Sequence, residues 1–256
     1  MSKSVAIIPA YNEEVALGSV ILRTMQYVDK IIVIDDGSSD KTKEIANLAG
    51  VESISHSTNL GKGKGLKSGF DTIQSINGTE NNEKFDIIVT IDGDGQNNPD
   101  EIPNLIAPIE SGIADFVNGS RHIEGFKEDD TPSYRRIGQK ILDKFTNITS
   151  GLEITDSQSG FRAFSRKTIP YFKFKDSGFA IESEMLSDAA EADLKIVEVP
   201  ITVRYDLDGS TENPITHGIR VLLKIIKDTK FRKPFIFFTI VGFIIVLIGL
   251  LLVSYF

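Results

Sequence analysis

Short apolar runs rich in β-branched residues alternate with amphipathic helical patterns along the chain, and this alternation restricts the fold more than any other feature. Strand-like runs occur at residues 4–8, 31–34, 86–91 and 115–118, with weaker candidates at 51–55 and 196–204. Helical patterns occur at residues 13–27, 39–49, 62–75 and 134–149. Because strands that alternate with helices form βαβ units, the pattern predicts an α/β domain with a mainly parallel sheet flanked by helices on both faces.

Length and composition exclude several classes of protein. The 256 residues are enough for one large α/β domain or two small ones. A net charge of -8 argues against a nucleic-acid partner. The chain has no cysteine, which excludes disulfides and thiolate chemistry, and only three histidines, which argues against a histidine-rich zinc site.

The C-terminal region has the pattern of a membrane anchor. Residues 235–253 carry no charge and, as a helix, would cross the roughly 30 Å hydrocarbon core of a bilayer; the alternative is a buried core helix. Residues 215–230 have an apolar face and lysines, which is typical of a helix on the membrane surface, or else of an ordinary domain helix. Basic residues precede the apolar stretch and none follows it, which predicts a single-pass protein whose N-terminal domain faces the cytoplasm, at the cell membrane or an endomembrane.

Two carboxylates and an amide follow the strand predicted at 86–91. They are Asp92, Asp94 and Gln96, in the sequence DGDGQ. In an open parallel sheet, ligands bind outside the carboxyl ends of the strands. Hard oxygen ligands of this kind suit Mg²⁺ or Mn²⁺ held against a diphosphate. An acidic loop without a metal is the alternative.

Polar motifs also follow the first two strands, and a glycine-rich segment follows the third. PAYNEE comes after the first strand and DDGSSDKT after the second, where Asp35 and Asp36 could accept hydrogen bonds from a ribose or a base. Ser38 or Ser39 could instead cap the next helix. NLGKGKGLKSGF resembles a phosphate-binding loop but lacks the P-loop spacing, and no GxGxxG follows the first strand.

In combination, these motifs resemble the family 2 glycosyltransferases of GT-A fold, and within them the dolichyl-phosphate and polyprenyl-phosphate sugar synthases. The resemblance extends over nearly the whole chain. It rests on IIPAYNEE, VIDDGSSDKT, GKGKGLKSGF, TIDGDGQNNP, NGSR, YRRIGQK, TDSQSGFRAFSRK, IESEML and VEVPITVRY. It implies a Rossmann-like catalytic domain at residues 1–212, a juxtamembrane helix at 213–233 and a transmembrane helix at 234–256.

The resemblance also implies roles for individual residues on the donor side of the site. The residues expected to hold the nucleotide are Pro9, Tyr11, Glu13 and Asp36. The residues expected to bind Mg²⁺ or Mn²⁺ on the sugar-nucleotide diphosphate are Asp92, Asp94 and Gln96.

Further residues are implied for the acceptor and the leaving group. Arg121 in NGSR and Arg136 in YRR are expected to bind the lipid phosphate, and Arg204 the phosphates of the leaving nucleotide. Glu184 matches an acidic position of the family, although the nearby Glu182 is an alternative. Arg162 could orient the site or merely pack, and the histidines are interpreted as incidental.

The function expected from this resemblance is metal-dependent, inverting transfer of one sugar. The donor is a UDP- or GDP-linked sugar, the acceptor is dolichyl or another polyprenyl phosphate in the membrane, and the product feeds protein glycosylation or envelope glycan assembly. A phosphate acceptor is already anionic at neutral pH, so no strong base is needed. One alternative is extension of a lipid-linked glycan or polysaccharide at a hydroxyl, which needs a base. Others are an inactive nucleotide-sugar-binding module and a sugar nucleotidyltransferase, whose glycine-rich loop is missing. A second copy of the chain or a membrane subunit is a further possible partner.

Overall fold

The structure is a computed structural model. It describes residues 2–78, 84–123, 133–176, 178 and 181–204, with backbone alone for 133–138, together with Phe238, Thr239, Gly242, Phe243 and Val246. The predicted helix at 213–233 lies outside the described residues, as does nearly all of the predicted span at 234–256. Within the part that is described, no helix is long and apolar enough to cross a bilayer.

Seven strands form one sheet in the order β3-β2-β1-β4-β6-β5-β7. Their bounds are Ser4–Ala10 (β1), Lys30–Asp35 (β2), Glu52–Ser55 (β3), Ile87–Thr90 (β4), Phe116–Ser120 (β5), Arg162–Ser165 (β6) and Ile196–Pro200 (β7). All strand pairs are parallel except those of β6, which runs antiparallel to both β4 and β5. The predicted mainly parallel sheet is therefore confirmed.

Helices cover both faces of this sheet. Their bounds are Leu17–Thr24 (α1), Thr42–Leu48 (α2), Lys62–Gly78 (α3), Ile102–Glu110 (α4), Ser133–Ser150 (α5) and Ile181–Glu191 (α6). Alternate residues of β1 serve the two cores: Ala6 and Ile8 pack with α1, α2 and α4, whereas Val5 and Ile7 pack with α3 and α6. This two-sided burial explains the continuous apolar strands, because neither face of the strand meets water.

Strand β6 and helix α4 are among the elements that the sequence pattern did not predict. Strand β6 is only four residues long and begins with an arginine, so no strand pattern marks it. Its Ala163 and Phe164 are nevertheless buried between β4 and β5. Helix α4 contains Pro103 in its first turn, where proline is tolerated, and Pro108 in its interior, which lowers the helix propensity of a segment whose apolar face is buried.

Candidate active site

Six of the seven strands end at the same edge of the sheet, because they all run in one direction. This edge carries the loops that follow β1, β2, β4, β5 and β7. Strand β6 runs the other way, so its first residue, Arg162, and the preceding Gly160 reach the same edge. The predicted site residues on these loops are therefore gathered into one region of the molecule.

The loops after β1 and β2 are joined to each other by hydrogen bonds. Asn12, in a left-handed conformation with φ of 56°, donates its N–H to Ser38 Oγ at 2.9 Å and accepts from the Ser39 N–H at 2.8 Å. The Glu13 N–H donates to Thr42 Oγ1 at 2.7 Å. These contacts engage Asn12 and Glu13 with the second loop, and α1 begins at Leu17 and not at residue 13 as predicted.

Asp36 organises the loop that precedes α3. Its carboxylate is buried and accepts the backbone N–H groups of Leu60 at 2.9 Å and Gly61 at 2.7 Å. His56 Nδ1 lies 2.6 Å from the same carboxylate. Asp36 thus fixes the glycine-rich loop, and His56, which was interpreted as incidental, supports it. Pro9 lies in β1, and Tyr11, which follows that strand, is 40% exposed.

Asp92 faces a lysine that begins helix α3. Lys62 Nζ lies 2.7 Å from Asp92 Oδ1, 2.9 Å from Asp92 Oδ2 and 2.8 Å from Glu182 Oε1. Burial alone would lower the pKa of Lys62, but the two carboxylates outweigh burial and raise it. The backbone passes close to this group at Gly160, where an added Cβ would lie 2.6 Å from both Nζ and Asp92 Oδ2.

Asp94 lies near other carboxylates. Its Oδ1 accepts the Gln96 N–H at 2.9 Å. Burial, and then the Asp92 charge, raise the pKa of Asp94 to about 6. Burial also raises the pKa of Glu13 to about 8, with contributions from Asp94, Asp92 and Asp40. The site is therefore electrostatically prepared for a cation, since a positive charge would relieve this repulsion.

The donor atoms present fit an oxygen-preferring divalent cation. Asp92, Asp94 and Gln96 offer two carboxylates and one amide oxygen, and the remaining ligands of such an ion commonly come from water and substrate phosphates. Within the described ranges, no three or more His, Cys, Asp or Glu side chains form a group that could hold a metal on its own.

The structure separates the two glutamates of α6. The Glu184 carboxylate accepts the backbone N–H groups of Lys175 and Asp176, both at 2.7 Å, so it supports the segment before α6. Glu182 instead contacts Lys62 and, through it, Asp92. Of the two, Glu182 is the one joined to the predicted metal-binding loop, whereas the sequence motif favoured Glu184.

Arg121 and Arg162 are held by a buried polar network beneath the site. Asp156 accepts two hydrogen bonds from Arg121, from Nε at 2.6 Å and from Nη2 at 2.7 Å. Arg162 donates to Asn118 Oδ1 at 2.9 Å and to the Glu182 carbonyl at 2.9 Å. Arg162 therefore orients the strand ends from within, and Asp156 fixes the direction of Arg121.

The segment after β7 lies against the loop that carries Asp94. The Arg204 N–H donates to the Gln96 carbonyl at 2.9 Å. Glu101 accepts the Thr202 N–H at 3.0 Å and the Thr202 hydroxyl at 2.8 Å. Arg204 is thus brought beside the loop that is predicted to bind a metal, whereas Arg136 is on α5 and its side chain lies outside the described residues.

Sequence reasoning missed Lys62 and Gly160 as members of the site. A lysine at the start of a helix was visible in GKGKG, but its partners Asp92 and Glu182 are 30 and 120 residues away in the chain. Gly160 lies in the motif TDSQSGFRAFSRK, but its role could not be inferred there, because only the approach of Lys62 and Asp92 makes a side chain at this position unfavourable.

Comparison with known proteins points to one family. Residues 5–170 match the family model described as Glycosyl transferase family 2. The UDP-N-acetylglucosamine–dolichyl-phosphate N-acetylglucosaminyltransferase of Methanococcus voltae is 34% identical, over 85% of this chain and 90% of that protein. The undecaprenyl-phosphate mannosyltransferase of Micrococcus luteus is 31% identical, over 77% of this chain and 81% of that protein.

A solved structure has the same fold. Glucosyl-3-phosphoglycerate synthase from Mycobacterium tuberculosis, in complex with Mn²⁺ and UDP-glucose, superposes with a TM-score of 0.67. The two are 21% identical, and the match covers 90% of this chain and 78% of that one. This likeness confirms the predicted GT-A-like arrangement of sheet and helices.

Proposed function

Because the chain belongs to glycosyl transferase family 2 and is a glycosyltransferase, we propose that it transfers one sugar from a nucleoside diphosphate sugar to a polyprenyl phosphate. We take dolichyl phosphate as the acceptor and inversion at the anomeric carbon as the outcome. The product would serve protein glycosylation or envelope glycan assembly.

The observation that carries this proposal is the gathering of opposite charges at one edge of the sheet. Asp92 and Asp94 follow β4, Arg121 follows β5, and Arg204 follows β7. Carboxylates suit a divalent cation, whereas arginine suits phosphate because its planar fork can bind two oxygens. A site that transfers a sugar from a nucleoside diphosphate to a second phosphate needs both kinds of group side by side.

On the donor side, Asp92, Asp94 and Gln96 would hold Mg²⁺ or Mn²⁺. Such a cation, when bound, stabilises the negative charge of the departing nucleoside diphosphate. Arg204 would bind the phosphates of the leaving nucleotide, and Pro9, Tyr11, Glu13 and Asp36 would hold its nucleoside. Mn²⁺ is the ion named in the complex of the mycobacterial synthase, which supports a divalent metal without favouring Mn²⁺ over Mg²⁺.

On the acceptor side, Arg121 and Arg136 would bind the lipid phosphate. The bidentate contact with Asp156 fixes the guanidinium of Arg121, so little side-chain freedom is lost when a phosphate binds. The acceptor oxygen is already anionic at neutral pH, so positioning and charge neutralisation suffice. The Glu184 carboxylate accepts hydrogen bonds from two backbone N–H groups and so supports the fold. This role is consistent with a reaction that needs no general base.

The names of similar proteins support the acceptor and leave the donor open. A dolichyl phosphate appears in the name of the Methanococcus voltae relative and an undecaprenyl phosphate in that of the Micrococcus luteus relative. The first name specifies UDP-N-acetylglucosamine and the second a mannosyl group. Both UDP- and GDP-linked sugars are therefore candidates for this chain.

A membrane anchor would keep the site at the depth of the acceptor headgroup. We propose that residues 234–256 cross the bilayer once, that residues 213–233 lie on its surface, and that residues 1–212 face the cytoplasm. The apolar, uncharged sequence at 235–253 and the basic residues before it support this arrangement.

A screen of radiolabelled donors tests the function. The full chain is incubated with Mg²⁺ or Mn²⁺, each UDP- and GDP-linked sugar in turn, and either dolichyl phosphate or dolichol. We expect label in the organic phase with one donor and with the phosphate acceptor only. Label on dolichol, or only on a pre-formed lipid-linked glycan, would favour transfer to a hydroxyl, and absence of label in every arm would overturn the proposal.

A further inference from the structure

Lys62 is the one described cation in direct contact with the Asp92 carboxylate. Three oxygens surround its Nζ: both of Asp92, at 2.7 and 2.9 Å, and Glu182 Oε1 at 2.8 Å. An ammonium group has three N–H donors, so these three oxygens can use all of them. In this arrangement Lys62 has no N–H donor left for a phosphate, and both carboxylate oxygens of Asp92 contact the positively charged ammonium group.

Glu182 is an unusual partner, because half of its carboxylate is unsatisfied. The Glu182 side chain is 4% exposed, and its Oε2 is buried with no hydrogen-bond partner among the described residues. A buried, unpaired carboxylate oxygen costs stability, and buried ion pairs are in general weak contributors to stability. Stability alone therefore does not account for a glutamate at this position, and its contact with Lys62 is the role that the structure offers.

The contact between Lys62 and Asp92 conflicts with cation binding at Asp92. An ammonium and a divalent cation on one carboxylate would lie only about 4 Å apart and repel each other. Lysine is a point charge on a flexible stem, so it can leave when a better arrangement is available. The diphosphate of a donor offers that arrangement, because it can accept hydrogen bonds from the ammonium group while also binding the metal.

We propose that Lys62, held by Glu182, is a built-in counter-cation of Asp92 that opposes metal binding until the donor diphosphate accepts its ammonium group. This inference rests on the proposed function. It makes metal and donor binding mutually dependent, so that the enzyme takes up its cation together with the nucleotide sugar. Lys62 then acts as a positioning residue on Asp92 before the donor binds and as a ligand of the diphosphate afterwards.

Binding of Mn²⁺ alone tests the first half. Free Mn²⁺ is measured by electron paramagnetic resonance in titrations of the full chain in detergent, with no donor and no acceptor present. Lys62→Met removes the charge and keeps the length of the side chain, so Mn²⁺ should bind on the order of tenfold more tightly. Lys67→Met, an exposed lysine of the same helix, is the matched control and should leave the affinity unchanged. Unchanged or weaker Mn²⁺ binding by Lys62→Met would overturn the proposal.

Addition of UDP or GDP tests the second half. In the wild type, the nucleotide that binds should tighten Mn²⁺ binding, and in Lys62→Met this gain should be reduced about tenfold because the diphosphate has lost its ammonium partner. An equal gain in both proteins would contradict the transfer of Lys62 to the diphosphate. Neither titration measures sugar transfer, so the proposed function can fail in the donor screen while this inference stands, and the reverse is also true.

A second pair of variants covers the case in which Lys62→Met does not fold. Glu182→Gln removes the other buried charge, and the double variant Lys62→Met/Glu182→Gln leaves no unpaired charge at that position. Comparison of the double variant with Glu182→Gln isolates the lysine, and Mn²⁺ should again bind about tenfold more tightly without it. Equal affinities in this pair would also overturn the proposal.

Discussion

The lack of a side chain at residue 160 gives the Asp92–Lys62 pair its room. An added Cβ would lie 2.6 Å from Lys62 Nζ and from Asp92 Oδ2, closer than non-bonded atoms approach. Both of these atoms are at the ends of side chains, so the fold can adapt by pushing them apart. A larger residue at this position should therefore distort the site and leave the packing of the core unchanged.

We expect Gly160→Ala to reduce sugar transfer by about tenfold or more, because the displaced Asp92 carboxylate no longer meets the cation correctly. The melting temperature should change little. Gly78→Ala, at a position where an added Cβ meets nothing within 4 Å, is the control. Wild-type transfer rates in Gly160→Ala would show that the geometry around Asp92 is not critical.

Asp143 predicts a dependence of stability on pH. Burial raises its pKa to about 7, although its hydrogen bonds from Ser157 oppose the shift, while Asp156 adds to it and Arg121 counters it. A carboxyl with a raised pKa in the folded state contributes stability when it is protonated. That contribution is present below the unfolded value of 3.8 and is lost as the pH rises through about 7.

Asp143→Asn should therefore lose less stability than the wild type between about pH 5 and about pH 8. Asparagine keeps an oxygen for the Ser157 N–H, so the variant should melt a few degrees higher than the wild type at the upper pH. Circular dichroism measures this, because the chain has no tryptophan for fluorescence. Glu153→Gln, at an exposed position, serves as the control, and parallel melting curves for Asp143→Asn and the wild type would refute the argument.

The segment after β7 is positioned by two contacts with neighbouring elements. Glu101, just before α4, accepts both the N–H and the hydroxyl of Thr202, and the Gln96 carbonyl accepts the Arg204 N–H. These bonds join the last described part of the domain to the loop that carries Asp94. Arg204 therefore depends for its position on Glu101, which precedes α4, and on the Gln96 carbonyl.

Glu101→Ala should raise the KM for the sugar donor about tenfold, because Arg204 loses this support while the sheet stays intact. Glu101→Gln keeps one acceptor oxygen and should recover part of the loss. Glu110→Ala, at the exposed end of α4, is the control. Initial rates at varied donor concentration give the KM. An unchanged KM in Glu101→Ala would show that Glu101 does not position Arg204.

The sequence predicted the elements whose patterns are local, and missed those whose stability comes from neighbours. Strand β1 is apolar throughout because it is covered on both faces, and its pattern was recognised. Strand β6 depends on pairing with β4 and β5, and its buried Arg162 depends on Asn118 and the Glu182 carbonyl, none of which is near in sequence.

The same distinction applies to the candidate site. Asp92, Asp94 and Gln96 lie within one loop, so a cation site there was predicted from the sequence, with a metal-free acidic loop as the alternative, and it stays a prediction. The choice between Glu182 and Glu184 depended on which carboxylate faces Lys62, and the fold brings Glu182 to that lysine from 120 residues away in the chain. Arg121 was predicted from its motif, but its partner Asp156 was not, since the two meet only in the folded domain.

The full chain is expected to be an integral membrane protein. Phe238, Phe243 and Val246, within the predicted span, are helical with exposed apolar side chains, which supports this proposal. After an alkaline carbonate wash, the full chain should stay with the membrane, whereas a chain ending at residue 212 should be released, because apolar burial in the bilayer resists high pH and charge-mediated attachment does not. Release of both chains to the same extent would contradict a transmembrane anchor.

The proposed function requires that the carboxyl end of β4 holds a divalent cation that meets the diphosphate of the sugar donor. The most direct measurement is anomalous diffraction from crystals soaked with Mn²⁺ and the donor identified in the screen. We expect a manganese peak between Asp92, Asp94 and the diphosphate, and no such peak in crystals of Asp94→Asn. A bound nucleotide with manganese elsewhere, or with none, would contradict it.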